Sequence, residues 1–286
     1  MAIKPEFIEQ MKRIVPGEYE QLVNALQSTP PAVSVRLNPM KNAEYPGHPV
    51  PWCGLGRYLD ERPAFTFDPL LHAGAFYVQD ASSMIIDHIV RTLVPQPVRY
   101  LDLCAAPGGK TTAALSALPE GSLVVANEIM ANRADILREN IIKWGYPNVV
   151  VTNNAPADFT PLRNFFDVIA IDAPCSGEGM FRKDETAVSQ WNPGLVCQCA
   201  DRQKGIIDDI WQSLRPGGLL IYSTCTFNLE ENEHMLEHII KSYDAEPVKI
   251  DVPAEWGIHP SLTNVPACRF MPHCTRGEGL FIGVAR

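Results

Sequence analysis

From Val98 onward the chain alternates short apolar runs with stretches of helical period. That alternation admits few folds, because strands separated by helices pair in parallel with the helices packed on the sheet. The runs Val98–Cys104, Ser122–Glu128, Val149–Thr152, Phe166–Asp172, Leu219–Ser223 and Gly279–Ala285 read as strands. Lys110–Ala117, Ala131–Trp144 and Asp201–Leu214 read as helices; in the last, Ile206, Ile207, Ile210, Trp211 and Leu214 share one face. Arg215-Pro216-Gly217-Gly218 is expected to stop that helix and turn into the next strand. A further helix over Leu229–Ile240 opens with Glu230, Glu231 and Glu233, which suits a helix dipole. The expected architecture is an α/β, doubly wound, Rossmann-like sheet over residues 69–286. Its ligand should bind outside the carboxyl ends of the strands.

Residues 1–68 differ. Two weakly helical segments, Glu6–Arg13 and Glu18–Leu26, precede an extended stretch from Ala32 to Asn38. A passage from Pro39 to Pro69, broken by Pro46, Pro49, Pro51, Pro63 and Pro69, follows. We read a small α/β module there. With 46 % apolar and 20 % charged residues among 286, the chain is neither disordered nor a disulfide-stapled mini-fold. The net charge of −9 argues against gripping nucleic acid by bulk charge, though not against a local basic groove. Charges interrupt the N-terminal stretch, so no secretory leader is expected, and no apolar run is long enough to span a membrane. The eight cysteines are therefore expected to be reduced thiols in a cytoplasmic protein.

Strand ends carry the chemistry. Leu101-Asp102-Leu103-Cys104 runs into Ala105-Ala106-Pro107-Gly108-Gly109-Lys110-Thr111. This strand, small-residue turn and helix start lets backbone approach a ligand and offers unpaired N–H groups. It is neither a dinucleotide fingerprint nor a P-loop. Glu128, at the end of the second strand, stands where an acid holds ribose hydroxyls. Together these favour an adenosine-type ligand such as S-adenosylmethionine; a tight turn beside a surface glutamate is the plainer alternative. Asp172-Ala173-Pro174-Cys175-Ser176-Gly177 and Ser223-Thr224-Cys225-Thr226-Phe227 place two cysteines at two strand tips. A free cysteine is by default an inert core residue, but a strand tip over a cleft can expose a thiolate. Cys53 and Cys104 read as packing residues. Cys197-x-Cys199 and Cys268…His273-Cys274 lack four-ligand spacing, so no metal site is expected.

With these motifs in view, the chain resembles the Nop/Sun family of RNA (cytosine-5) methyltransferases. The resemblance rests on Tyr77-Val78-Gln79-Asp80-Ala81-Ser82-Ser83-Met84, on Cys104–Lys110, on Asp172–Gly177 and on Ser223–Thr226, in that order. The extension Glu178-Gly179-Met180-Phe181-Arg182-Lys183 is most similar to the bacterial RsmF-like branch, which acts on 16S rRNA. The resemblance implies a Rossmann-like S-adenosylmethionine-dependent fold. It makes Cys225 the nucleophile at cytosine carbon 6 and Cys175 the cysteine that assists proton removal and release. Asp172 would offset charge at ring nitrogen 3, and Lys110 would lie near cofactor and base. For the cofactor it implies the segment Cys104, Ala105, Ala106, Pro107, Gly108, Gly109 and Lys110, with Glu128, Arg133 and Asp172. Many members carry an aspartate after the third strand. Here Asn153 or Asn154, or backbone, would meet the adenine. RsmF-like proteins usually continue into a C-terminal RNA-binding region, whereas this chain ends at Arg286.

The implied partner is RNA, 16S rRNA or the small ribosomal subunit, with a single-stranded or flipped base. Lys12, Arg13, Arg36, Lys41, Arg182, Lys183, Arg202 and Lys204 are candidates for a phosphate-binding groove, Arg182-Lys183 foremost; scattered solvated charge is the alternative. Rival readings are the same chemistry on tRNA, a non-catalytic RNA-binding assembly factor, and a small-molecule methyltransferase. DNA is disfavoured, since DNA enzymes attack with the cysteine of the Pro-Cys motif.

Overall fold

A computed structural model describes residues 3–286. In chain order, helices α1 (Pro5–Ile14) and α2 (Tyr19–Ser28) come first. Strands β1 (Val33–Leu37), β2 (His48–Val50) and β3 (Cys53–Leu59), the short α3 (Pro69–His72), β4 (Phe76–Val78) and α4 (Ile85–Leu93) follow. The alternating region is β5 (Arg99–Asp102), α5 (Gly109–Ala117), β6 (Leu123–Asn127), α6 (Ala131–Trp144), β7 (Val149–Thr152) and β8 (Phe166–Asp172). Helices α7 (Glu185–Gln190) and α8 (Pro193–Ile210), strand β9 (Leu214–Thr224) and α9 (Glu233–Tyr243) lead to β10 (Pro247–Val248), β11 (His259–Pro260), β12 (Cys268–Phe270) and β13 (Leu280–Ala285). Among the described residues no helix is long and apolar enough to cross a membrane.

The chain divides into two compact units. One comprises residues 32–171 and 212–218; the other comprises the described residues up to 31, with 172–211 and 219–286. In the first, β5 pairs in parallel with both β6 and β8, and β6 with β7. Parallel strands buried on both faces need an apolar run, and β8 supplies one from Val168 to Ile171. The same unit holds an antiparallel four-stranded sheet, ordered β2-β3-β1-β4, around Val35, Leu37, Leu59, Phe65 and Phe76. Only β1 of its strands was legible in the sequence; the prolines that disguise the rest sit at edges and turns.

In the second unit β13 pairs antiparallel with β9, β12 and β10, and β11 with β12. Its apolar core gathers Phe7, Met11 and Leu22 from α1 and α2 with Phe181, Trp191, Phe227 and Met271. Phe7 packs tilted at 5.1 Å from Phe181 and edge-on at 5.4 Å from Trp191. Such aromatic pairs add ~0.5–1.5 kcal/mol beyond area burial.

Three local expectations are corrected. The helix expected over Asp201–Leu214 runs from Pro193 to Ile210, because Asn192 caps it by accepting from the Leu195 amide and Pro193 presets its first turn. Arg215–Gly218 does not separate helix from strand: it lies within β9, with Gly217 at φ 72° absorbing the bend. The helix expected from Leu229 begins at Glu233, because Glu231 is turned inward as a buried acceptor.

Candidate functional site

In the second unit, two loops are brought together at strand tips. The Ala173 amide donates to the Ser223 carbonyl at 2.8 Å, and Ser223 Oγ donates to Asp172 Oδ1 at 3.0 Å. Two residues further along both segments, Cys175 Sγ and Cys225 Sγ lie 3.3 Å apart. That is hydrogen-bond distance for sulfur and too long for a disulfide. The hydrogen bond to Cys225, and then burial, hold the Cys175 thiol well above its usual range, so it stays protonated at neutral pH. A protonated Cys175 can donate S–H to a thiolate on Cys225.

The loops are held by buried carboxylates that the sequence reading missed. Glu231 accepts from the Ser176 amide at 3.0 Å, from Ser176 Oγ, from Gln203 Nε2 at 2.8 Å and from Asn228 Nδ2 at 2.8 Å. Tyr222 closes that network by donating to the Glu231 carbonyl at 2.7 Å. Glu178, wholly buried, accepts from the Phe227 and Asn228 amides at 2.6 and 3.0 Å and from Trp191 Nε1 at 3.0 Å. Burial pushes the Glu178 carboxyl up to about 6 and also raises Glu231. Arg269 grips Glu233 through two nitrogens and donates to the Phe227 carbonyl at 2.8 Å. Asn232 accepts from Thr224 Oγ1 at 2.6 Å and donates to the Thr226 carbonyl at 3.0 Å. A dense acid and amide run straight after the second cysteine was the available signal. It resembled the solvated first turn of a helix, and burial is what distinguishes the two.

The other cofactor-site candidates lie in the first unit. Gly108 sits at φ 111°, a conformation only glycine adopts freely, and α5 starts at Gly109 with Lys110 in its first turn. Thr111 Oγ1 donates to buried Asp102 at 2.6 Å, tying the turn to its strand. Cys104 is half-buried at the start of that turn, and Ala105 and Ala106 are buried. Arg133 donates to the Ala106 carbonyl at 2.8 Å, leaving Pro107 at the head of the turn, and lies 3.2 Å from Glu128 Oε2. Glu128 is buried; its Oε1 accepts from the Met130 amide, while Oε2 accepts no hydrogen bond. A buried carboxylate oxygen without a hydrogen-bond donor fits a ribose hydroxyl. Asn153 donates its amide to the carbonyls of Glu128 and Ile129 at 2.6 and 2.9 Å, which fixes the acid's loop. Its amide nitrogen is thereby engaged with backbone. Asn154 donates weakly to Asp158, which also accepts from the Ala155 amide at 2.8 Å.

Arg36 supports this turn from β1. Its side chain is fully buried and donates to Gln79 Oε1 at 2.8 Å, to Thr112 Oγ1 at 2.5 Å and to the Gly109 and Thr112 carbonyls at 3.3 Å. It packs 4.5 Å from the Trp144 ring. Burial lowers its pKa to about 10, still charged at neutral pH. Arg36 is therefore no groove residue, contrary to expectation: a guanidinium with every partner inside the fold cannot reach a phosphate. Arg182 is corrected likewise. Its side chain is 4 % exposed and donates to Glu278 Oε2 at 2.9 Å and to the Gly277 carbonyl. Lys183 pairs with the same Glu278 at 3.3 Å, and exposed Lys12 and Lys204 pair with Glu9 and Asp201.

Fold and strand-tip loops define a Rossmann-like methyltransferase. Two family models match: 16S rRNA methyltransferase RsmB/F over residues 90–285, and the N-terminal domain of 16S rRNA methyltransferase RsmF over residues 3–81. The chain belongs to the RsmB/F family of 16S rRNA methyltransferases. It is 33 % identical over 303 residues to ribosomal RNA small subunit methyltransferase F of Serratia proteamaculans (strain 568), an alignment covering 99 % of this chain and 63 % of the relative. The enzyme of that name from Klebsiella pneumoniae (strain 342) is 37 % identical over 256 residues, covering 83 % of this chain and 53 % of the relative. The chain thus spans less than two thirds of the length of these curated relatives. Among solved structures, a methyltransferase homologue from Pyrococcus horikoshii superposes with a TM-score of 0.81 at 25 % identity, over 98 % of this chain and 94 % of the other. NSun6 from Pyrococcus horikoshii, solved with SFG, gives a TM-score of 0.85 at 19 % identity over 99 % and 98 %, a likeness of fold.

Proposed function

We propose that the chain is an S-adenosylmethionine-dependent RNA (cytosine-5) methyltransferase acting on 16S rRNA in the cytoplasm. One observation carries this reading: two thiols 3.3 Å apart on loops clamped by Glu178 and Glu231, beside Asp172. A single thiol suffices for nucleophilic attack; a second thiol in contact offers a proton donor and acceptor beside the nucleophile. The family of the chain and the names of its curated relatives support the ribosomal substrate.

The residues fit the cofactor. Glu128 would hold the ribose hydroxyls, the turn Cys104–Lys110 would line the adenosyl and methionine portions, with Arg133 steadying Ala106 and Glu128. Asp172 would stand at the methionine end. Bound there, S-adenosylmethionine supplies an electrophilic methyl group on sulfonium. Cytosine carbon 5 is too poor a nucleophile to take it unaided. Cys225 thiolate adds to carbon 6, and the electron pair of the 5,6 double bond moves into the ring, where Asp172 offsets charge at nitrogen 3. Carbon 5, now enamine-like, would take the methyl group as its bond to sulfur breaks and the sulfonium leaves as a neutral thioether. The carbon 5 proton then leaves to a base, the double bond reforms and the Cys225–carbon bond breaks.

The raised pKa of Cys175 gives its two roles an order. Its largest cause is the hydrogen bond with Cys225, and that thiolate disappears when Cys225 bonds to carbon. Cys175 is thus a donor before attack and becomes easier to deprotonate afterwards, when proton removal is required. Lys110 would add positive charge near the cofactor. Residues 1–68 are proposed as an RNA-binding module, and 69–286 as the catalytic domain.

The test is transfer of labelled methyl from S-adenosylmethionine to rRNA, naked and in small subunits, by wild type, Cys225→Ala and Cys175→Ala. Cys225→Ala should lose transfer by on the order of 10³-fold or more. Cys175→Ala should accumulate a covalent protein–RNA adduct, and Cys225→Ala none. Adduct from Cys225→Ala alone would reverse the roles; label confined to tRNA would replace the substrate.

A further inference from the structure

Away from the paired thiols, the second unit gathers four potential metal ligands from three distant segments. Glu18 stands at the start of α2, His259 on β11, and His273 and Cys274 in the turn after β12. Glu18 Oε2 accepts from His273 Nε2 at 2.8 Å and lies 3.9 Å from Cys274 Sγ. Glu18 Oε1 is 3.7 Å from His259 Nε2. The ligand atoms of Glu18, His273 and Cys274 all fall within 4.8 Å of one another. The sequence reading expected no metal because the Cys268…His273-Cys274 stretch lacks ligand spacing. Glu18, 255 residues away from His273, completes the set only in the fold.

We propose that Glu18, His259, His273 and Cys274 form a zinc site. The donor set is two imidazole nitrogens, a carboxylate oxygen and a thiolate, the borderline mixture that suits Zn²⁺ rather than Mg²⁺ or Ca²⁺. Zinc bonds of ~2.0–2.3 Å place tetrahedral ligands about 3.3–3.7 Å apart. From Glu18 Oε2, His273 and Cys274 stand at 2.8 and 3.9 Å, either side of that range; His259, 3.7 Å from the other Glu18 oxygen and outside the tight group of three, must swing inward to complete the set. An ion pair between Glu18 and the histidines needs no thiol, yet Cys274 completes the group. His273 is buried to 4 % side-chain exposure, and Nε2 is the ring nitrogen that faces Glu18. Cys274 and Glu18 keep enough exposure for an ion to enter.

The supporting backbone is firm. The Cys274 and Thr275 amides both donate to the Met271 carbonyl, at 2.8 and 2.9 Å, and His259 is in register with Arg269, whose side chain is locked on Glu233. Binding displaces the Cys274 thiol proton to solvent as the Zn–S bond forms. His273 turns its Nε2 lone pair to the metal and carries its proton on Nδ1. Charge and protons then balance without a redox change, and affinity rises with pH. The ion would staple the α1–α2 connection to the C-terminal strands of the same unit.

The experiment is competition between the full chain and a chromophoric chelator for Zn²⁺, with Co²⁺ as an optical substitute. It compares wild type, Cys274→Ser, His273→Gln and, as a control for the paired thiols, Cys225→Ser. Wild type should bind about one Zn²⁺ that Mg²⁺ does not displace, and its Co²⁺ form should show a thiolate charge-transfer band. Losing supporting residues around zinc costs 10–100-fold, so removing a ligand through Cys274→Ser or His273→Gln should weaken binding at least about 100-fold. The Co²⁺–thiolate band should vanish in Cys274→Ser and persist in Cys225→Ser. Circular dichroism keeps misfolded variants out of the comparison. No stoichiometric uptake by folded wild type, unchanged affinity in Cys274→Ser, or a band lost only in Cys225→Ser would each overturn the proposal. The outcome is independent of methyl transfer, since no step of that reaction uses these residues.

Discussion

The two candidate site loops of this protein are held by opposite chemistry. Around Cys175 and Cys225 the anchors are buried acceptors: Glu231 and Glu178 receive the amides of Ser176, Phe227 and Asn228. Around Gly108 the anchor is a buried donor: Arg36 gives its N–H groups to the carbonyls of Gly109 and Thr112. The difference follows from which backbone groups each loop leaves orphaned. A strand tip turning away from its sheet exposes amides, which only an acceptor can satisfy. The first turn of a helix must keep its own amides free for a ligand, so support has to arrive through carbonyls.

The largest effect is expected from Glu231→Ala. It leaves the Ser176 amide, Gln203 and Asn228 without an acceptor in a buried site, and should cost ~3–5 kcal/mol in chemical denaturation. Any folded fraction should bind cofactor with little change yet transfer methyl poorly. Retained transfer at wild-type rate would break the claim that acceptors position the thiols.

Arg36→Met should cost ~2–4 kcal/mol and weaken cofactor binding, measured by calorimetry, more than it slows a saturated enzyme. Arg36→Lys should not restore binding, because an ammonium cannot reproduce the fork of donors. Arg36 and Glu231 share no hydrogen-bond partner, so the double variant should be additive within about 0.5 kcal/mol. Strong coupling would show that the two supports are one system.

Glu178 adds a pH signature. Its folded pKa of about 6 lies above the ordinary 4.5, so the folded state binds the proton more tightly than the unfolded chain. That contribution to stability is complete below 4.5 and is lost as pH rises through 6, by about 2 kcal/mol. Urea titrations of wild type and Glu178→Gln across pH 4–7.5 should therefore differ by that slope, with the variant's relative stability improving as pH rises. A parallel pair of curves would remove burial as the cause of the shift. The smallest effect is expected from Asn153→Ala, which loses two exposed-edge donations to the Glu128 loop: about 1 kcal/mol, with a several-fold weaker cofactor affinity.

What the sequence determined by itself was local and periodic. Alternating strand and helix spelled the parallel sheet, because hydrophobic period and turn chemistry act within a few residues. It also marked the strand ends, where Asp102–Thr111, Glu128, Asp172–Gly177 and Ser223–Thr226 stand. The tertiary structure decided which polar residues face inward. Arg36 and Arg182 look like surface cations in the sequence and are interior ties. Glu231 and Glu233 look like a solvated helix start and are buried acceptors. Helix α8 begins eight residues before its apolar face becomes evident, because a cap at Asn192 starts it. The small sheet β2-β3-β1-β4 stayed hidden among its prolines. The reason is common to all of these. A charged residue costs the same letter in the sequence whether water or a partner 50 or 100 positions away satisfies it. Only folding brings Glu231 to Ser176, Arg36 to Thr112 and Cys225 to Cys175.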